Sequence, residues 1–183
     1  MTSIVFVPIP HEIREEIITT LTRMFGYRNT KLFFKNRLLI ITKGGPRQEV
    51  FAVTKEQFDF IFNKLKAILQ KEPYCAGVFV GIYGKKFRPS LEICEKLFKI
   101  SKRNAIMVNE KAAVLFSYGR DIMLKSIVRI YEPLREIAVV IDPQENVIGL
   151  CKLTVKDLDK VSLGEYVVCE NIIDKGWYLR KGH

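Results

Sequence analysis

Asn104-Ala-Ile-Met-Val-Asn-Glu-Lys-Ala-Ala-Val-Leu-Phe-Ser-Tyr-Gly-Arg-Asp-Ile-Met-Leu-Lys-Ser-Ile-Val-Arg-Ile-Tyr131 is the stretch whose reading decides the fold. It opens with an apolar run, Ala105–Val108, followed by Asn109, whose side-chain oxygen suits it to cap the first free backbone donors of a helix. Ala112, Leu115 and Phe116 then fall at i, i+3 and i+4, one face of a short helix. Gly119 stands where that helix must end, the place where a positive φ is most useful. Ile122, Leu124 and, after a slip of phase, Val128 and Ile130 read as a strand.

This strand–helix–glycine–strand unit resembles the start of a PUA domain, a small RNA-binding β-pseudobarrel. Near the end of the chain, Asp174-Lys175-Gly176-Trp177-Tyr178-Leu179-Arg180 resembles the closing strand of that family. From Ala105 onward the pattern gives about six strands and one or two helices, as such a domain requires.

With 183 residues the chain suits one large domain or two small ones. An apolar fraction of 48% argues against disorder. No apolar run approaches the roughly 20 residues that span a bilayer, and the N-terminus lacks a basic region before its apolar residues. A soluble intracellular protein with no membrane partner is the expectation. Cys75, Cys94, Cys151 and Cys169 are widely spaced, form no C-x-x-C pair, and read as structural core thiols. With only His11 and His183 besides, no metal site is expected.

The formal net charge of +10 favours anionic partners. Residues 1–100 carry 17 Lys+Arg against 9 Asp+Glu, a surplus of 8; residues 101–183 carry 13 against 11, a surplus of 2. Cations in the second half therefore matter by placement.

Along the first half, Ile13, Ile17, Leu21 and Phe25, widened by Ile18 and Met24, predict a helix from His11 to Phe25, entered at Pro10 and ended at Gly26. Lys31–Phe34 and Leu38–Thr42 read as a hairpin around residues 35–37, with a third strand over Glu49–Val53. Thr54 and Gln57 have capping-box spacing and introduce a second helix carrying Phe58, Ile61, Phe62, Leu65, Ile68 and Leu69. Ala76–Tyr83 reads as a strand buried on both sides. A basic turn spans Gly84 to Arg88, and a third helix, about Ser90 to Ile100, buries Leu91, Cys94, Leu97 and Phe98. This half is α/β or α+β.

In the second half, Ile137–Ile141 and Val147–Leu153 predict a hairpin. Val155–Leu163 is a short polar segment, and Glu165–Asn171 and Trp177–Arg180 are the last two strands. The expected division is 1–102 and 103–183. No Pro-, Gly- or Ser-rich linker separates the halves, so they are expected to pack together.

The first half narrows the resemblance. Gly77-Val-Phe-Val-Gly81, the turn Gly84-Lys-Lys-Phe-Arg88 and the helix after it resemble the pre-PUA domain of the Nip-seven family of large-subunit ribosome biogenesis factors. Phe116-Ser-Tyr-Gly119, Lys125-Ser126, Arg129-Ile130 and Leu163-Gly164 extend the match over nearly the whole chain. The resemblance implies an α+β protein: an N-terminal α/β pre-PUA domain packed against a C-terminal PUA β-pseudobarrel. Two departures stand out. Asn109-Glu110-Lys111-Ala112 replaces the acidic-x-Gly-Ala pattern of many PUA domains, and Ile127 stands where many have glycine.

By that resemblance RNA would lie along Gly119, Arg120, Lys125 and Arg129, with Lys175, Arg180 and Lys181. Lys152, Lys156 and Lys160 repeat at i+4 and suggest a cationic stripe; archaeal members resemble this chain in being basic hereabouts. Lys85, Lys86 and Arg88 form the densest basic cluster of the first half and are candidates for additional RNA or partner contacts. For each of these cations the plainer reading is a solvated surface charge. Trp177 and Tyr178, on adjacent strand positions, are expected on opposite faces, Trp177 in the core and Tyr178 free to stack.

No phosphate-cradling or dinucleotide glycine motif occurs, and neither histidine has a nucleophile beside it in sequence. The expectation is a non-enzymatic RNA-binding factor of large-subunit biogenesis, without cofactor. Its implied partners are precursor rRNA, other assembly factors or pre-ribosomal particles, and the exosome. An archaeal member would be cytoplasmic, a eukaryotic one nucleolar. Two alternatives stay open: an accessory protein of tRNA or rRNA modification, and a basic protein–protein adaptor.

Overall fold

The computed structural model describes residues 4–65, 73, 75–154, 166–177 and 180. The chain is α+β and divides into two compact units, residues 1–97 and 98–183.

The first unit is built on an antiparallel sheet in the order β1-β2-β3-β4-β5, each strand beside its neighbour in sequence. The strands are β1 (Val5–Pro8), β2 (Arg37–Lys43), β3 (Gln48–Thr54), β4 (Val78–Tyr83) and β5 (Phe87–Pro89). Helix α1 (His11–Phe25) matches its predicted bounds and buries Ile17, Leu21, Met24 and Phe25. Gly26 ends it at φ +89°, its N–H donating to Thr22 O. The chain then turns straight into α2 (Tyr27–Phe34). The hairpin expected between Lys31–Phe34 and Leu38–Thr42 is thus wrong. Lys31–Phe34 is helical, because Thr30, Phe33 and Phe34 fall at i, i+3 and i+4 and bury Thr30 and Phe33, and β2 pairs with β3 instead.

The capping box at Thr54 is formed from both sides, Gln57 N to Thr54 Oγ1 and Thr54 N to Gln57 Oε1. It opens α3 (Lys55–Asp59), which passes directly into a π-helical turn, Phe60–Leu65. The wider turn buries Leu65, packs Ile61 with Phe6, Ile40, Phe51 and Val53, and leaves Phe60 exposed. Ile68 and Leu69 lie outside the described residues. Strand β4 is only partly buried, not covered on both sides as expected. Helix α4 (Leu91–Ser101) buries Leu91, Ile93, Cys94, Leu97 and Phe98.

The second unit holds a six-stranded sheet ordered β7-β11-β10-β9-β6-β8. Its members are β6 (Ala105–Val108), β7 (Ile122–Met123), β8 (Ile127–Tyr131), β9 (Ile137–Ile141), β10 (Val147–Leu153) and β11 (Val167–Asp174). All pairings are antiparallel except β6 with β9. The phase slip after Leu124 is a 3-10 turn, Leu124–Ser126, that breaks the expected single strand in two. β7 then pairs with β11 and β8 with β6, so the slip sends the two halves to opposite ends of the strand order. The sheet curls around Ile106, Val108, Phe116, Ile122, Val140 and Val168.

Two expectations about side chains are corrected here. Cys151 and Cys169, read as free thiols, form a disulfide across β10 and β11, with Cα atoms 5.6 Å apart. They stand 18 positions apart in sequence, but the β10–β11 register, which sets Cys151 opposite Asn171 and Leu153 opposite Cys169, makes them diagonal neighbours. Cys75, also read as a core thiol, is instead an exposed free thiol, whereas Cys94 is buried as expected. Trp177 does not belong to a closing strand either. Arg180 N donates to Gly176 O at 3.0 Å, the i→i−4 bond of a helical turn, so strand alternation does not govern Trp177; Tyr178 lies outside the described residues.

Backbone tension collects where β6 begins. Lys102, Asn104 and Glu145 are the non-glycine residues with positive φ among those described, at 49°, 56° and 62°. Lys102 Nζ binds Glu145, whose other oxygen accepts from Tyr131 OH at 2.5 Å. Buried Asn104 accepts from Arg135 N and donates to Ile137 O. These bonds hold the left-handed conformations that the chain would otherwise resist.

Candidate nucleic-acid interface

Helix α5 (Glu110–Ser117) carries the site. Asn109 caps it as expected, its Oδ1 accepting from Ala112 N at 2.9 Å. The buried face is Ala112, Ala113 and Phe116, rather than Ala112, Leu115 and Phe116. Leu115 is exposed, together with Val114 and Tyr118.

The helix ends in a Schellman motif. Arg120 N donates to Leu115 O and Gly119 N to Phe116 O, with Gly119 at φ +85°. Asn171 Nδ2 adds a second donor to Phe116 O at 2.9 Å. The remaining last-turn carbonyl, Ser117 O, accepts from the guanidinium of Arg180. A cation at a helix C-terminus also meets the negative end of the helix dipole. The same guanidinium binds Asp174 Oδ2 at 2.7 Å. Asp174 closes β11 and is 1% exposed, and its Oδ1 has no partner among the described residues.

Gly176 makes this closure sterically feasible. A Cβ there would stand 2.1 Å from Ser117 O and 2.9 Å from the Arg180 guanidinium. A cleft of about 440 Å³ opens beside the clamp, lined by Ala113, Val114, Ser117, Tyr118, Gly176 and Arg180, with Ile148 and the carboxylate-bearing Asp142 also on its wall. It combines an apolar helix face, an exposed tyrosine ring and a cation, groups able to meet a base and a phosphate.

The sequence-derived residues fall into several places. Gly119 and Arg180 come together, a Cβ on Gly119 lying 3.3 Å from the guanidinium. Exposed Arg120 follows Gly119, and exposed Lys175 follows Asp174, its N–H donating to Ile148 O. Lys125 lies on the 3-10 turn between β7 and β8. Arg129 is on β8, four places from β11 in the strand order, with its guanidinium 4.6 Å from the Tyr131 ring centre.

Lys152 belongs to β10, where successive side chains alternate and an i+4 helical stripe does not form. It stands 3.9 Å from Glu136 Oε1. Lys156, Lys160 and Lys181 lie outside the described residues. In the first unit, Lys85 and Lys86 are exposed on the turn between β4 and β5, and Arg88 is exposed on β5. Glu16 of α1 anchors that hairpin, accepting from Tyr83 OH and Phe87 N, each at 3.0 Å.

Sequence reasoning missed Ser117, Tyr118, Asp174 as a buried acid and Gly176. Their signal was the Asp174-x-Gly176 pair itself: an acid two residues before a glycine, with an arginine four residues beyond the glycine.

The fold and this clamp define a PUA-domain protein, and PUA domains are RNA-binding modules. Residues 104–183 match the family model described as the UPF0113 PUA domain. The chain is 34% identical over 149 residues to a UPF0113 protein of Archaeoglobus fulgidus, covering 80% of this chain and 81% of that one. It belongs to the UPF0113 family. In fold it is similar to a conserved PUA domain protein from Thermoplasma acidophilum, with a TM-score of 0.62 at 16% identity over 95% of each chain. A hypothetical protein from Pyrococcus horikoshii gives a TM-score of 0.61 at 16% identity, covering 96% of this chain and 99% of that one.

Proposed function

We propose that this protein is a non-enzymatic RNA-binding factor of large ribosomal subunit assembly, as its resemblance to the Nip-seven family implies, contacting precursor rRNA through the PUA domain. The observation that carries the RNA reading is the end of helix α5. There Gly119 presents backbone without a side chain, beside Arg180, Tyr118 and a cleft of suitable size. Exposed Arg120 and Lys175 flank this point and support the reading, since neutralised phosphates supply most of the affinity of such complexes.

Crosslinking in cells followed by sequencing of the bound RNA tests the proposal. Reads concentrated on large-subunit rRNA precursors are the expected result. Reads concentrated on tRNA would instead favour an accessory role in RNA modification. Absence of enriched RNA, with co-purified protein only, would favour the adaptor reading.

A further inference from the structure

Residues 17–48 contain seven Lys and Arg (Arg23, Arg28, Lys31, Lys35, Arg37, Lys43 and Arg47) and no Asp or Glu. This one segment accounts for most of the first half's surplus of cations, and its centre is α2. Tyr27, 65% exposed, Arg28, Lys31, Leu32 and Lys35 all reach solvent. Lys31 Nζ stands 5.5 Å from the centre of the Tyr27 ring. Arg37, just beyond the helix, donates to Phe33 O at 2.6 Å, and its guanidinium lies 4.4 Å from the Phe33 ring centre.

We infer that α2, with Arg37, forms a second RNA-contacting surface that takes a single-stranded segment, its phosphates on Arg28, Lys31 and Lys35 and a base on Tyr27. Charge and composition favour this occupant. No carboxylate is ion-paired with Arg28, Lys31 or Lys35 among the described residues, so their charge is not neutralised internally. Protein-binding patches are depleted in lysine, whereas a phosphate backbone is held by it. An exposed aromatic ring among cations is what an unpaired, splayed base can use, and a base inside a duplex cannot. The surface belongs wholly to the first unit and does not depend on the PUA face.

The test uses the full chain and a labelled oligouridylate of about 20 nucleotides, titrated between roughly 50 and 200 mM salt. In one variant Arg28→Ala, Lys31→Ala and Lys35→Ala are combined. A control removes the same charge elsewhere, through Arg14→Ala, Lys64→Ala and Lys96→Ala. All six residues are at the surface, so both variants should fold.

The α2 variant is expected to bind on the order of tenfold or more weakly. Its salt slope should be shallower by about 2, since each single-strand phosphate contact contributes roughly 0.7. The control should keep its slope. Tyr27→Ala should weaken binding about tenfold, and Tyr27→Phe should restore it. An α2 variant indistinguishable from the control, or no binding by the unmodified chain, overturns the inference. A slope that falls with Tyr27→Ala unchanged from Tyr27→Phe overturns the base-stacking part.

Discussion

Arg180 grips the buried carboxylate of Asp174 at 2.7 Å while its guanidinium also reaches the last open carbonyl of helix α5, at Ser117. The residue that looks like a phosphate ligand in the sequence is therefore first a fastener of the fold. Arg180→Ala should lower stability by about 2 kcal/mol, because it strands a buried charge and frees a helix carbonyl, in a site partly open to water. Arg180→Lys should recover part of this, having charge but no planar fork. Denaturant midpoints of the three proteins check it, and an unchanged midpoint for Arg180→Ala would refute the clamp.

The two glycines of this site should respond differently. Gly119→Ala meets the left-handed backbone cost of about 1 kcal/mol and a tight but yielding contact with Arg180. Gly176→Ala puts a methyl group 2.1 Å from Ser117 O, where backbone must move. Gly176→Ala should be the more destabilising of the pair and should also expose Trp177 differently, read as a shift in tryptophan fluorescence.

Thiol counting separates the four cysteines. In native, non-reducing conditions a thiol reagent should label Cys75 rapidly and leave Cys94, which is fully buried and whose thiol is pushed up in pKa by desolvation. Unfolding without reductant should reveal two thiols; unfolding with reductant should reveal four. Four thiols without reductant would show that Cys151 and Cys169 are not joined.

Glu145 gives a pH signature. Lys102 first, then the Tyr131 hydroxyl, hold its carboxyl below the usual value. A carboxylate depressed in the folded state stabilises above its unfolded pKa, about 4.3, and that contribution is lost as pH falls through the folded value. The difference in melting temperature between the protein and Glu145→Gln should stay level from pH 7 to about 5 and shrink below about 4. A constant difference down to pH 3 would contradict the assignment.

Much of this was written in local sequence. The caps at Asn109 and Thr54, the 3.6-residue stripe of α1 and the turn at Gly119 are short-range signals, and each formed as read. The misreadings share one cause. Residues 31–34 have strand-like composition, but the buried stripe begun at Thr30 carries them into a helix. Trp177 looks like a strand residue, but the Arg180–Asp174 and Arg180–Ser117 bonds demand a helical turn. Cys151 and Cys169 find each other only through strand register, which no local pattern shows. Of the Lys152–Lys156–Lys160 spacing, only Lys152 lies among the described residues, and it stands on a strand, where the i+4 period of a helix does not apply. At the candidate site, sequence located Gly119 and Arg180, but the buried acid that holds Arg180 belongs to tertiary structure.

The outer strands of the first sheet have a consequence for how the protein behaves in concentrated solution. β1 has four residues and ends on Pro8; β5 has three and ends on Pro89. β1 therefore closes on a residue with no N–H to donate, and β5 does the same while its Phe87 N–H is already held by Glu16. A strand from another molecule would find only a short ladder to extend, one rung of which is missing. Both rims of this sheet are thus poor templates for strand addition from a second copy.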